Sequence, residues 1–410
     1  MTTTDFPTLA QRLRLPPEAN TWQEGWDESA TAWETAADGF RARLNPTAFA
    51  QSLASIPFSR EIQSRLLAGL ALFADPDLCQ LLWHCHYRLF RSPGALQAKV
   101  NAWQLLPPDL SPHSQLFLVY PLLLGVPELR AQYHQRGIPD AILANTLIDI
   151  ELWIHAHHTK NGHWGFSEHR WLIQHVAANL FAIGRLQYQF GTYRYPFTAW
   201  QQNSTGHIVV LAPSDQTIVE GRFAEPEDAA PGWTTTYRRV HASIHGHPVS
   251  RVGTIEPAPV TLPLDDWQPV LEQGDPVLAL HIPASGPLLP NACRESLAQA
   301  LAFFPRHFPD HPFRAFACAS WLLDPQLQTT LRPTANLVGF QRIFRLQPVP
   351  GGNGQQTLAR IFGSSDIDLA TAPRDTSLRR AVLDHLAAGK RWRTAACLLF
   401  PADIAHLTHP

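Results

Sequence analysis

The hydrophobic pattern of this chain changes period near Ala182, and a chain that changes period has to build two kinds of layer. From Ser59 to about Phe181 the apolar residues recur three and four apart. Leu66, Leu67, Leu70 and Phe73 make one stripe, and Leu78, Leu81, Leu82 and Cys85 the next, which is the spacing of helices burying one face. Breakers separate the segments: Asp75-Pro76, Ser92-Pro93-Gly94, Pro107-Pro108 and Gly137-Ile-Pro-Asp140. Asp140 is placed to cap a helix running through Ile142, Ile150 and Trp153. No repeat of fixed period runs through this half, so it reads as a helical domain rather than a solenoid.

Beyond Ala182 the runs are short, β-rich and bounded by turn residues, as in Gly184–Phe190 and His207–Ala212. The acidic, proline-containing stretch Gly221 to Gly232 reads as an exposed loop. Asp275–Ile282 (DPVLALHI) has the length and aliphatic run of a buried strand, and a helix follows from about Pro290 to His307. Arg314–Trp321, Leu337–Leu346 and Thr394–Phe400 read as further strands. Strand, helix, strand and closing strands make an α/β layer pattern (α+β over the whole chain), with domains expected at 1–180 and 181–410.

Composition excludes several function classes. Lysine plus arginine number 32 against 34 aspartate plus glutamate, so neither nucleic acid nor an anionic membrane has a basic footprint to bind. The longest apolar run, Leu116 to Val126, is about half of what a membrane span needs and contains Pro121. The five cysteines form no CxxC pair, which argues against a zinc ribbon or disulfide framework and for a reducing, cytoplasmic setting. The N-terminus has no apolar run after a basic segment, unlike a secretory signal.

One cluster of residues points toward metal chemistry. His155, His157, His158, His163 and His169 lie close in sequence, and on a helix Glu151, His155 and His158 share a face. HExxH is absent, and HAHHTKNGH reads equally as a helix end passing into a polar loop. Trp83-His-Cys-His86 are adjacent and point different ways on a helix. Neither GxSxG, a P-loop nor GxGxxG after a strand occurs.

The stretch from Gly274 (GDPVLALHIPASGPLLPNACRESLAQALAFFPRHFPDHPFRAFACASWLLDPQL) resembles the core of a GNAT-like C-terminal domain of bacterial acyltransferases. The segments RGIPDAILANTLIDIELW, HWGFSEHRWLIQH and GRLQYQF are similar to that family's junction with a helical N-terminal domain, and ANLVGFQRIFRLQPVPGGNG to its closing strand and loop. The resemblance implies an all-helical N-terminal domain followed by a GNAT-like mixed sheet. It also implies transfer of an acyl group, acetyl or fatty, from acyl-CoA or acyl carrier protein to an amine of a small molecule or peptide, in the manner of natural-product enzymes. No metal is expected.

In that fold a central strand reaches a splayed point and turns into a helix, whose first backbone N–H groups bind the carrier's phosphates. The resemblance assigns Leu280, Ile282, Ala284, Ser285, Gly286 and Leu288 to the carrier arm. The family's usual pyrophosphate signature is absent, and the two prolines of the turn remove two N–H donors. His281 ends the strand, placed either as a base for the amine or as a core histidine satisfied by a carbonyl. Ser320, at the end of the next strand, is placed to hold or protonate the leaving thiolate, while Asp324 reads as a helix cap before Pro325. Ala315, Ala317 and Ala319 leave space on one face of that strand. Two rival readings are a non-catalytic module keeping the carrier groove, and a metal-dependent hydrolase built on the His155–His169 cluster.

Overall fold

A computed structural model describes residues 4–15, 22–92, 99–101, 103–226, 228 and 230–407. The chain divides into two compact units, residues 1–183 with 283–285, and residues 184–282 with 286–410.

The first unit is built from helices. Principal among them are α1 (Trp26–Arg43), α2 (Pro76–Phe90), α3 (Asp149–Asn161) and α4 (His169–Val176). Asp75 starts α2 by accepting the N–H groups of Asp77 and Leu78, and Pro76 occupies the first position, where no N–H is needed. Leu78, Leu81, Leu82, Cys85 and Leu89 are all buried, and so are Gln80, His84 and His86, so α2 is enclosed on most of its circumference. Against it α1 lays Trp33 and Phe40, whose rings lie 5.7 and 5.1 Å from Trp83. The Trp83 indole N–H donates to the Ser29 carbonyl, which satisfies the polar handle of a buried ring. Gly125 permits one close approach: a Cβ there would stand 1.9 Å from the Phe90 ring. The apolar run Leu116–Val126 is buried throughout, yet only Val119–Leu123 completes an α-helical turn.

The helix expected to run on from Asp140 is two helices. Asp140–Leu147 ends at Ile148, and α3 begins at Asp149. Asp140 sits in the first turn instead of the cap, and its carboxylate meets His134 Nε2 at 2.9 Å.

The second unit carries five strands of a mixed sheet. Its strands are β1 (Leu186–Thr192), β2 (Pro276–His281), β3 (Ala315–Ser320), β4 (Arg345–Asn353) and β5 (Arg393–Leu399), in the order β1-β2-β3-β5-β4. Only β2 and β3 run parallel, joined by the crossover helix α5 (Pro290–His307). Tyr188 and Phe190 turn one face of the sheet onto Phe304 of α5 and onto Phe308 just past its end, with ring centroids 5.1–6.1 Å apart, and Phe316 lies 5.7 Å from Tyr188 on the same face. The opposite face carries Val277, Ala315, Ala317 and Leu398, packed with Tyr193, Phe197 and Leu271. The small side chains of β3 are therefore filled by aromatic rings at Ala315 and Ala317, and only Ala319 is exposed.

Between β1 and β2 the chain forms three further antiparallel sheets, of which the pattern announced the strand in His207–Ala212. One joins Thr198–Gln202 to Ile208–Leu211 and Trp267–Leu271, and the others use strands of two to four residues. Such short strands carry too few alternations to read. Two expectations also change. Leu337–Leu346 is not a strand: Asn336–Gln341 is a helix burying Val338 and Phe340, and β4 starts at Arg345. A short apolar run has no period that separates the two states. Within Gly221–Gly232, Glu225 and Asp228 are largely buried against Arg393, at 2.5 and 3.6 Å.

Candidate active site

The site grows from a change of partners along β2 and β3. They pair at Val277↔Ala315, Leu278↔Phe316 and Ala279↔Ala317, and then part. Beyond that point β2 stays with β1 as far as His281↔Gln187, and β3 stays with β5 as far as Ser320↔Ala395. Each strand keeps its outer ladder and loses its inner one. Residues 280–282 and 318–320 are thus not laddered to one another, and their released backbone groups would border the groove that the resemblance implies between the strands.

His281 faces the side of Val277 and Ala279, while Ser320 faces the side of Phe316. The two therefore flank the groove from opposite faces. The half-buried His281 ring brings Nε2 to 2.9 Å from Gln189 Oε1, which accepts its proton and orients the imidazole. Ser320 Oγ accepts the N–H of Leu322 at 3.2 Å, which leaves its own hydrogen as a donor. Leu280 is buried in the sheet, Ile282 and Leu288 are half-buried, and Ala284, Ser285 and Gly286 are exposed. Gly286 adopts φ +73°, a left-handed conformation that suits glycine. Helix α5 then begins at Pro290 without a side-chain cap.

Arg185 is a residue that the sequence reading overlooked. Its Nε donates to the Pro287 carbonyl and its Nη2 to the Gly286 carbonyl, both at 3.0 Å. Nη1 has no protein partner. A cation is thus fixed on the turn that lacks the family's usual signature. The only signal for it was the antiparallel register of β1 on β2, which carries the residues before Leu186 past the end of β2.

Asp324 is a structural residue. It is 1% exposed, and burial raises its pKa, yet it accepts the N–H groups of Gln326 and Arg393 at 3.0 and 2.7 Å. It caps the short helix as read and also anchors the first residue of β5. A cavity of about 720 Å³ lies beside it, reaching Ala395, the strand partner of Ser320. Charged groups of its lining pair within the protein, Arg393 with Glu225 and Arg222 with Glu220.

The histidine cluster resolves into packing. Glu151 accepts the Ser59 N–H at 2.8 Å and stands 3.6 Å from His155. His158 stacks on Trp164 at 4.0 Å, and the Arg65 guanidinium lies 3.7 Å from the same ring. His169 is buried beside Trp103. Among the described residues no three His, Cys, Asp or Glu side chains converge where a metal ion would sit.

The sequence model of the GNAT-like C-terminal domain matches residues 180–399, more than half of the chain, and that of the N-acyltransferase N-terminal domain matches residues 48–178. The chain belongs to the GNAT-like acyltransferases. No curated protein matches it in sequence. Among solved structures, an acyltransferase in complex with decanoyl-CoA is 24% identical, with a TM-score of 0.64 over 97% of this chain and 99% of that one. Two further complexes, one with decanoyl-CoA and teicoplanin and one with CoA and 10C-teicoplanin, are each 25% identical with TM-scores of 0.59 over the same shares. In this acyltransferase the splay of β2 from β3, the turn Pro283–Leu289 and helix α5 fall where the resemblance placed the carrier-binding elements. Among the described residues no single helix is long and apolar enough to cross a membrane.

Proposed function

We propose that this acyltransferase moves an acyl group from acyl-coenzyme A to the amine of a small molecule or peptide. The observation that carries the reading is the parting of β2 and β3 after Ala279 and Ala317, which leaves unladdered backbone edges for a pantetheine arm to bond as an added strand would. Backbone of residues 280–288 would line the arm, with Ser285 and Gly286 on the phosphates beside the start of α5. Arg185 favours coenzyme A over acyl carrier protein as donor, because it sets a cation at the turn where the diphosphate would lie. The acyl-CoA complexes of the solved acyltransferases support the same donor and include a decanoyl chain.

In the reaction the amine nitrogen attacks the thioester carbonyl, the C–N bond forms and the C–S bond breaks. His281, held by Gln189, takes the amine proton. Ser320 donates a hydrogen bond to the departing thiolate from the other side of the groove. The neighbours bound to teicoplanin support an amine on a glycopeptide-type natural product as acceptor. Residues 1–180 and 181–410 are read as two domains, and the five unpaired cysteines support a cytoplasmic setting.

The first test is the melting temperature with coenzyme A, acetyl-CoA and decanoyl-CoA. A ligand at about a hundred times its Kd adds about 2.7 kcal/mol to the native state. A shift with acyl-CoA, followed by thiol release that depends on an added glycopeptide amine, supports the reading. Absence of both across a panel of acyl-CoAs and amines refutes it.

A further inference from the structure

Three of the five cysteines, Cys79, Cys85 and Cys293, are buried on helices α2 and α5. The other two face each other. Cys318 on β3 and Cys397 on β5 are direct partners in the antiparallel ladder, between Ala317↔Leu398 and Ala319↔Ala396. Directly opposed residues of an antiparallel pair have Cα atoms about 4.5–5.5 Å apart and side chains on the same face. A disulfide asks for about 4.4–6.8 Å. Cys397 is 1% exposed, and burial and its neighbour hold its thiol protonated, whereas Cys318 is half-buried and gives a reagent its way in. The pair sits one residue beyond the last β2–β3 pairing, at the root of the groove.

We propose that Cys318 and Cys397 form a reversible cross-strand disulfide when the protein meets a small-molecule disulfide oxidant. The Cys318 thiolate attacks the oxidant, one S–S bond breaks, and one thiol leaves. Cys397 gives up its proton and attacks the Cys318 sulfur of the mixed disulfide, and the second thiol leaves. Two protein thiols are oxidised and one oxidant disulfide is reduced to two thiols. The bridge ties β3 to β5 beside the groove without moving either strand, because their register already opposes the two sulfurs. The inference is independent of which donor or acceptor the enzyme uses.

The test is to incubate the native full chain with oxidised glutathione, quench with acid and count thiols after unfolding. The expected result is a fall from five titratable thiols to three, with a mass loss of two hydrogens. Digestion should join the peptide containing Cys318 to the one containing Cys397, and dithiothreitol should restore all five thiols. Cys318→Ser should keep its four thiols under the same treatment, and Cys397→Ser should stop at a glutathione adduct on Cys318. Five thiols remaining in the wild type, a stable glutathione adduct on Cys318 with no internal bridge, or a bridge to any other cysteine would overturn the proposal.

Discussion

The strongest single demand on the helical unit comes from Asp149, at the start of α3. The residue is 4% exposed, and its Oδ2 receives three N–H donors: His175 Nε2 at 3.0 Å, the Trp171 indole at 3.1 Å and the Trp153 indole at 3.3 Å. His175 and Trp171 belong to α4, so this carboxylate joins α4 to α3. In Asp149→Ala the two indoles are only half-buried and can turn to water, but His175 is 0% exposed and cannot. Its Nδ1 already has no protein partner, so the ring would be left without any polar contact from the protein. Leaving a buried donor unsatisfied costs about 1–3 kcal/mol, and more where the lost partner was charged, which would dominate the change. Asp149→Asn retains one acceptor and opposes the other donors with its own NH₂, so a smaller loss is expected. Urea unfolding followed by tryptophan fluorescence and by far-ultraviolet circular dichroism reads both numbers. A loss below about 1 kcal/mol for the alanine variant would refute the argument that His175 depends on this carboxylate.

Three further outcomes follow from the site and the core. His281→Gln should lower kcat by roughly 10²–10⁴ with the acyl-CoA KM nearly unchanged, and Gln189→Leu should shift the pH-rate profile; an unaltered kcat for His281→Gln removes the base role. Arg185→Met should raise the acyl-CoA KM by roughly ten- to a hundredfold, the loss of one charge-assisted contact, and reduce the salt dependence of binding; an unchanged KM removes Arg185 from the donor site. His84 and His86 are each pushed down to about 3 by burial, with Arg88 and Arg43 respectively adding to the shift. An unfolded chain binds protons at both positions below its pKa of about 6.5, so their contribution is complete above that pH and is lost as pH falls toward 3. By pH 5 each should cost about 2 kcal/mol, and His86→Phe should flatten the fall in urea midpoint between pH 7 and 5 if its volume is tolerated. A variant with the wild-type slope that remains folded would show that His86 titrates normally.

The elements most legible in the sequence were those with enough residues to show a period or a clear stop. α2 follows its Asp75-Pro76 start, and α5 spans Pro290–His307 as read. β2 and β3 lie within the runs Asp275–Ile282 and Arg314–Trp321, and β5 starts one residue before the run Thr394–Phe400. Local chemistry was legible on the same terms, as with Asp324, where a carboxylate immediately before a proline defines a cap. Apart from Ile208–Leu211, which lies in the run His207–Ala212, strands of two to four residues were not legible, because so few positions show little alternation. The helix Asn336–Gln341 was misread for a related reason, since six residues are too few to show a helical period.

What the sequence by itself determined, then, is the order of layers: helices first, and then a mixed sheet crossed by one helix between its two parallel strands. Residues whose meaning depends on a partner far along the chain were decided only by tertiary structure. Arg185 reaches the carbonyls of Gly286 and Pro287 because β1 runs antiparallel to β2. Cys318 meets Cys397 because β5 enters beside β3 in one register and no other. The histidines that looked like ligands in sequence pack on tryptophans instead, because Trp164 returns across α3. Spacing along a chain reports which face a residue takes within its own element, and only the closing of the sheet and the packing of helices set what stands opposite that face.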